Sequence, residues 1–288
     1  MGVRRAVTMA VEAVSAENGS GRDSSIYTLG PLIHNPQALS AISHSGVKIL
    51  QEAELFSGSV CLLKNDYVII RAHGISPDVE QVLREQSVKI IDATCPKVKA
   101  IQNIASVLAG KGYTIFLAGE KEHAEIKGIY GFTRGSHCIV VGNPDEANLA
   151  ACELHQKENT PAKTALIGQT TISKDEYHSI ANAVKRYFPN LEVKNTICDA
   201  TRDRQDALRE LCSAVDAVIV AGGKESANTR RLLSIAQSCG KEAWLVESAS
   251  DLPPALLYLS NTASVKIGLC AGASTPDSVI DEIEQALI

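Results

Sequence analysis

Two cysteines in this chain open helix-like segments in matching surroundings. Cys95 begins Cys-Pro-Lys-Val and Cys198 begins Cys-Asp-Ala-Thr. Each precedes an amphipathic stretch, then an apolar strand, then a Gly-x-Lys-Glu loop: YTIFLAGEKEHAE at 113–125 and DAVIVAGGKESAN at 216–228. The interval from Cys95 to His123 equals that from Cys198 to Ser226. Such self-similarity at a fixed offset marks an internal repeat. Taken singly, a cysteine at a helix start is ordinarily a small structural residue. Two at equivalent repeat positions are candidates for thiolate ligands that meet at a common centre. The other six cysteines (Cys61, Cys138, Cys152, Cys212, Cys239, Cys270) have no repeat-equivalent cysteine and read as packing or incidental residues.

The same loops carry His34-Asn35, His73-Gly74, His123-Ala124-Glu125, Thr170-Thr171, Ser226-Ala227-Asn228 and Ala273-Ser274. Loops at the carboxyl ends of parallel strands are where open α/β sheets bind ligands. His, Ser, Thr and Asn beside helix N-termini suit a phosphate or diphosphate. Glu125 among these groups is a candidate proton donor if burial raises its pKa.

The elements that must position these residues also repeat. IYTLGPLIHN at 26–35 reads as a third copy of the first strand-loop, followed by a helix around 36–45. A second set of strands ends in polar turns: VIIRAHGISPD, ALIGQTTISKD and IGLCAGASTPD. Ser76, Ser173 and Thr275 read as helix caps, Ser173 with Glu176 as a capping box, and Pro77 and Pro276 as first helical residues. VKIIDATCP and LEVKNTIC supply a further strand before each cysteine. Strands alternating with helices predict an α/β fold built of parallel sheets. The expected units are 1–95, 96–197 and 198–288, in a trefoil-like arrangement around a central site.

The chain opens on a helical pattern, with Val3, Val7, Val11 and Val14 as its apolar stripe. Alignment of Val3 with Val98 puts the first unit's equivalent cysteine just before Met1. The expectation is therefore a chain shortened by roughly one strand and a turn, on the order of ten residues, with that strand completing the third unit.

Composition narrows the classes. The 288 residues carry 28 Lys and Arg against 33 Asp and Glu, a net charge of −5. Nucleic acid calls for a basic face, and aromatics at 4% offer few stacking platforms. No apolar run approaches the ~20 residues of a membrane span. Eight cysteines without a CxxC pair suit a reduced, cytoplasmic protein.

These residues resemble the 4-hydroxy-3-methylbut-2-enyl diphosphate reductases, the IspH or LytB family. The resemblance rests on eight ordered motifs. They are His-Asn at 34–35, Ala-His-Gly at 72–74, Asp-Ala-Thr-Cys-Pro at 92–96, Gly-Glu-Lys-Glu-His-x-Glu at 119–125, Gln-Thr-Thr-x-Ser at 169–173, Cys-x-Ala-Thr at 198–201, Lys-x-Ser-x-Asn at 224–228 and Ala-Gly-Ala-Ser at 271–274.

The resemblance implies a three-lobed α/β fold and a [4Fe–4S] cluster on three cysteines. It also implies reductive removal of the substrate hydroxyl to give isopentenyl and dimethylallyl diphosphates, the last step of the methylerythritol phosphate pathway. By it, Cys95 and Cys198 are the second and third cluster ligands. His34, His73, His123, Ser226, Asn228 and Ser274 bind diphosphate through hydrogen bonds and His⁺ rather than Mg²⁺ and Arg. Glu125 is the proton donor, and Thr170 orients the substrate hydroxyl.

Three departures stand out. The family's Gly-Phe-Cys-x-Gly-Val start is here Met-Gly-Val, Ala227 replaces a common serine, and Ala124 replaces a common proline. The alternatives are an inactive truncated member that binds the diphosphate without a stable cluster, and a sugar-phosphate-binding protein with no cluster. No GxGxxG fingerprint is present, so the expected electron donor is a separate ferredoxin or flavodoxin.

Overall fold

The computed structural model describes residues 2–18, 24–32, 43–156, 161–254, 256 and 265–288. Its strands form three sheets. The first contains β1 (Ile26–Leu29), β2 (Val47–Leu50), β3 (Tyr67–Ile70) and β4 (Lys89–Asp92), in the order β2-β1-β3-β4. The second contains β5 (Thr114–Ala118), β6 (Cys138–Val141), β7 (Thr164–Gly168) and β8 (Glu192–Val193), in the order β6-β5-β7-β8. The third contains β9 (Ala217–Ala221), β10 (Glu242–Val246) and β11 (Ile267–Ala271), in the order β10-β9-β11. Every pairing is parallel. The three orders are one topology repeated, with β1, β5 and β9 at equivalent central positions. In the third sheet the position equivalent to β4 and β8 is open among the described residues. There a groove of about 530 Å³, lined by Leu208, Leu211, Leu269 and Ile280 among others, runs beside β11.

The central strands are covered on both faces, so they read as continuous apolar runs rather than alternating ones. All five residues of β5, of β7 and of β9 are buried. Phe116, Leu166, Tyr177 and Val184 belong to one apolar cluster and Ile115, Ile126 and Ile167 to another, on the two sides of the second sheet.

Helix α1 (Gly2–Asn18) forms as its spacing predicts, but on a different stripe. Ala6, Ala10 and Val14 are buried, Val7 is half-buried and Val11 is 51% exposed. Residues four apart share a face, and the two alanines allow the helix to sit close on the sheet beside Ile69 and Ala93. The side chain of Val3, His34-Asn35 and most of the helix expected around 36–45 fall outside the described residues.

The predicted helix starts hold in part. Ser76 caps α3 (Pro77–Glu85), with Pro77 at the first helical position. Ser173 accepts a hydrogen bond from the Glu176 N–H at 3.2 Å at the start of α7 (Lys174–Lys185). The Glu176 carboxylate pairs with Arg231 across to the third unit, so the capping box is only half formed. Pro276 sits one residue earlier than expected, at the cap position of α10 (Asp277–Leu287). Thr275 is no cap: its hydroxyl donates to the Ala221 carbonyl at 2.9 Å, tying the loop after β11 to the end of β9.

Candidate functional site

Helices α4 (Pro96–Gly110) and α8 (Asp199–Ala214) begin at Cys95 and Cys198, which occupy their cap positions. Each cysteine hangs from the loop of the preceding unit strand by the same bond. The Cys95 N–H donates to the Ala72 carbonyl at 2.9 Å, and the Cys198 N–H to the Thr170 carbonyl at 3.0 Å. The repeat inferred from sequence is thus also a repeat in hydrogen bonding. Both thiols are free and half-buried, and both line one cavity of about 510 Å³. The ammonium of Lys97 pairs with Asp199 at 3.0 Å, bridging the two helix starts.

Of the other expected residues, His73, His123, Glu125, Thr170, Ser226, Asn228 and Ser274 all line this cavity. His34 lies outside the described residues. His123 caps α5 (Ala124–Gly131), and its Nδ1 accepts from the Glu125 N–H at 3.1 Å. That bond makes Nδ1 the acceptor of a neutral ring, so Nε2 carries the proton. The His73 and His123 rings meet edge to face, 5.1 Å between centroids. Ser226 caps α9 (Ala227–Ser238). The Asn228 amide oxygen and nitrogen are buried without a hydrogen-bond partner. A buried amide is costly unless satisfied, so this side chain is shaped for a polar ligand in the cavity.

Glu125 is 2% exposed. One carboxyl oxygen accepts from the Thr170 N–H at 2.6 Å, the other from the Thr170 hydroxyl at 2.9 Å. Burial pushes its pKa up to about 7, and the two Thr170 bonds hold it from going higher. A carboxyl poised there can give up a proton near neutrality. Protonated, it can donate to the Thr170 oxygen, making a two-residue relay to the cavity. The loops that carry this pair approach closely at Gly119, whose φ is +153°. A Cβ there would lie 2.6 Å from Ile126 Cδ1 and 2.7 Å from Gln169 Oε1.

Thr171 and Thr201, which stand in the sequence motifs, line the cavity as well, and four further cavity residues escaped sequence reasoning: Arg5, Lys97, Asp199 and Arg204. Three of these are cations, Lys97 being paired with Asp199. Lys97 and Asp199 stand beside the two cysteines, and that adjacency was the available signal. Arg5 reaches across from α1 to donate to the Thr94 carbonyl at 3.1 Å, a contact between distant segments that no local pattern discloses.

The three parallel sheets thus bring strand-end loops, two free thiols and a buried carboxyl to one cavity, the arrangement of an α/β protein with its site among the loops. The LytB protein family matches residues 1–288, and the chain belongs to that family. It is 42% identical over 287 residues to the 4-hydroxy-3-methylbut-2-enyl diphosphate reductase of Treponema denticola, across 100% of this chain and 95% of that protein. It is 35% identical over 288 residues to the enzyme of that name from Aquifex aeolicus, across 99% of this chain and 91% of that protein. Among solved structures it is similar to the E-1-hydroxy-2-methyl-but-2-enyl-4-diphosphate reductase of Plasmodium falciparum. The TM-score there is 0.85 at 28% identity, covering 99% of this chain and 83% of that one. A second solved (E)-4-hydroxy-3-methyl-but-2-enyl diphosphate reductase matches with a TM-score of 0.67 at 34% identity, covering 100% of this chain and 94% of that one. These likenesses bear out the α/β reading with three parallel lobes.

Proposed function

We propose that the protein is an iron–sulphur oxidoreductase of isoprenoid biosynthesis that reduces 4-hydroxy-3-methylbut-2-enyl diphosphate to isopentenyl and dimethylallyl diphosphates. The reading takes the lobes as units 1–95, 96–197 and 198–288. Its main support is the convergence of Cys95, Cys198, the Glu125–Thr170 pair and the unpartnered Asn228 amide on one cavity, in a chain that belongs to the LytB family. The inactive alternative has no observation in its favour over this one.

Two half-buried free thiols that open helices at equivalent places and line one cavity fit two corners of a [4Fe–4S] cluster. Among the described residues no group of three His, Cys, Asp or Glu side chains is placed to hold a metal. Cys95 and Cys198, which line one cavity, would hold the cluster from the second and third units. When bound, the cluster supplies the electrons and a Lewis-acidic iron. Replacing the substrate C–OH by C–H with release of water takes up two electrons and two protons.

The rest falls to side chains. His73, His123, Ser226, Asn228 and Ser274 hydrogen-bond the diphosphate oxygens, and His34 joins them by its place in the family motif. Lys97 and Arg204 add positive charge at the cavity wall. Thr170 holds the substrate hydroxyl, and Glu125 passes a proton through the Thr170 oxygen to the departing water. A ferredoxin or flavodoxin delivers the electrons, and the setting is cytoplasmic; no helix among the described residues is long and apolar enough to cross a membrane.

Anaerobic reconstitution tests the ligand assignment. The chain is compared with its Cys95→Ser and Cys198→Ser variants and with the double variant that carries both changes, each with and without an upstream strand-Gly-Phe-Cys extension. Iron and sulphide bound in proportion to the cysteines present is the expected result. Equal iron in the double variant and the parent would overturn it.

A further inference from the structure

The two helices that begin at Cys95 and Cys198 share a second repeated feature. Seven residues past each cysteine stands a glutamine, Gln102 on α4 and Gln205 on α8. Both are buried, 3% and 1% exposed. Each turns its amide back on the loop from which its own cysteine hangs. Gln102 Nε2 donates to the Ile75 carbonyl at 3.3 Å, and Gln205 Nε2 to the Thr171 carbonyl at 3.4 Å. A buried amide costs stability that an apolar side chain of the same size does not. Two at one repeat position therefore call for a task beyond filling space.

The loops they hold are those of the cavity. The Cys95 N–H and Gln102 take the Ala72 and Ile75 carbonyls, so His73 and Gly74 are bracketed between two bonds to one helix. Gly74 has φ +70°, and a Cβ on it would lie 2.5 Å from Gln102 Nε2, so the loop crosses directly over the amide. The Cys198 N–H and Gln205 take the consecutive carbonyls of Thr170 and Thr171. Thr170 is the residue whose N–H and hydroxyl bond the Glu125 carboxyl.

We propose that Gln102 and Gln205 are positioning residues: Gln205 sets Thr170 against Glu125, and Gln102 sets the His73 ring where a diphosphate oxygen would meet it. The part given to Gln102 rests on the diphosphate reading above, and the part given to Gln205 does not. Neither glutamine lines the cavity, so each acts through the loop it holds. Without the Gln205 bond the Thr171 peptide is released on one side, and the two Thr170 bonds to Glu125 loosen with it. Those bonds oppose the upward push of burial on Glu125, so their loss lets the carboxyl rise further.

The test uses the whole chain without cluster. Gln205→Met and Gln102→Met keep the side-chain length and remove the donor. Carbon NMR of glutamate-labelled protein, with the Glu125 carboxyl signal assigned by Glu125→Gln, reads the Glu125 midpoint. Calorimetry reads the binding of inorganic pyrophosphate. Gln205→Met should raise the carboxyl midpoint by about half a unit or more and leave pyrophosphate affinity nearly unchanged. Gln102→Met should leave the midpoint in place and weaken pyrophosphate binding about fivefold. Glutamines that serve stability alone would lower the urea midpoint in both variants while moving neither readout, or move both readouts alike; either result would overturn the proposal. Gln205→Asn and Gln102→Asn stay polar but fall one methylene short of the carbonyl, and they decide the matter if a methionine variant fails to fold. No pyrophosphate binding by the parent would overturn the diphosphate reading and with it the part given to Gln102, while the carboxyl midpoint decides Gln205 by itself.

Discussion

Glu125→Gln should make the protein more stable at alkaline pH and remove a pH dependence that the native chain carries. The carboxyl is fully buried with a pKa of about 7, against an ordinary value of 4.5. The folded state therefore binds a proton that the unfolded state has released between those values. Stability contributed by the protonated carboxyl is complete below about pH 4.5 and is lost as pH rises through about 7. Each pKa unit is worth about 1.4 kcal/mol, so the full swing is about 3.5 kcal/mol. Between pH 5 and pH 8 about 2–3 kcal/mol of it is traversed. Glutamine keeps the shape: its oxygen accepts from the Thr170 N–H and its amide donates to the Thr170 hydroxyl oxygen. The assay is urea unfolding of both proteins, without cluster, at a series of pH values. Other titrating groups cancel in the difference. The variant should gain about 2–3 kcal/mol on the parent between pH 5 and pH 8. A flat difference, or a gain on the acid side, would refute the claim that burial governs this carboxyl.

Other consequences follow from the same geometry. Thr170→Val removes the hydroxyl bond to Glu125; it should cost about 1–2 kcal/mol and move the break in the pH–stability curve above 7, read in the same unfolding series. Asn228→Leu removes two buried polar atoms without partners; it should stabilise the ligand-free chain by about 1–3 kcal/mol. The same change should abolish the rise in melting temperature that inorganic pyrophosphate produces in the parent. Gly119→Ala forces a side chain into a positive-φ position against Gln169 and Ile126. It should cost about 2–4 kcal/mol, and an unchanged denaturation midpoint would contradict the close approach of the two loops.

What could be read from sequence, and what could not, divides along physical lines. Cys95 and Cys198 were legible because the chain repeats. Their surroundings recur at equal spacing, and their N–H groups do bond equivalent carbonyls, Ala72 and Thr170. The Glu125 loop was legible for the same reason. Its raised pKa depends on Thr170 and on layers of packing, which composition does not show. Local patterns misled where distant partners compete. Glu176 leaves its capping box for Arg231, and Thr275 turns from capping its helix to bond Ala221. On α1 the eye is drawn to valines, while contact with the sheet selects the small Ala6 and Ala10. Arg5 and Arg204 reach the cavity by side-chain length and helix placement, which no spacing rule encodes.

The central claim is that this cavity reduces an allylic diphosphate with a cluster held by Cys95 and Cys198. Its most direct measurement is anaerobic turnover by the reconstituted chain, extended upstream with strand-Gly-Phe-Cys and driven by a reduced one-electron dye. 4-Hydroxy-3-methylbut-2-enyl diphosphate should be consumed and isopentenyl and dimethylallyl diphosphates should appear. Glu125→Gln should retain iron but lose most of that turnover, and Cys198→Ser should lose both. Product formation at the parent rate in Cys198→Ser, or none from a parent loaded with iron and sulphide, would contradict the account.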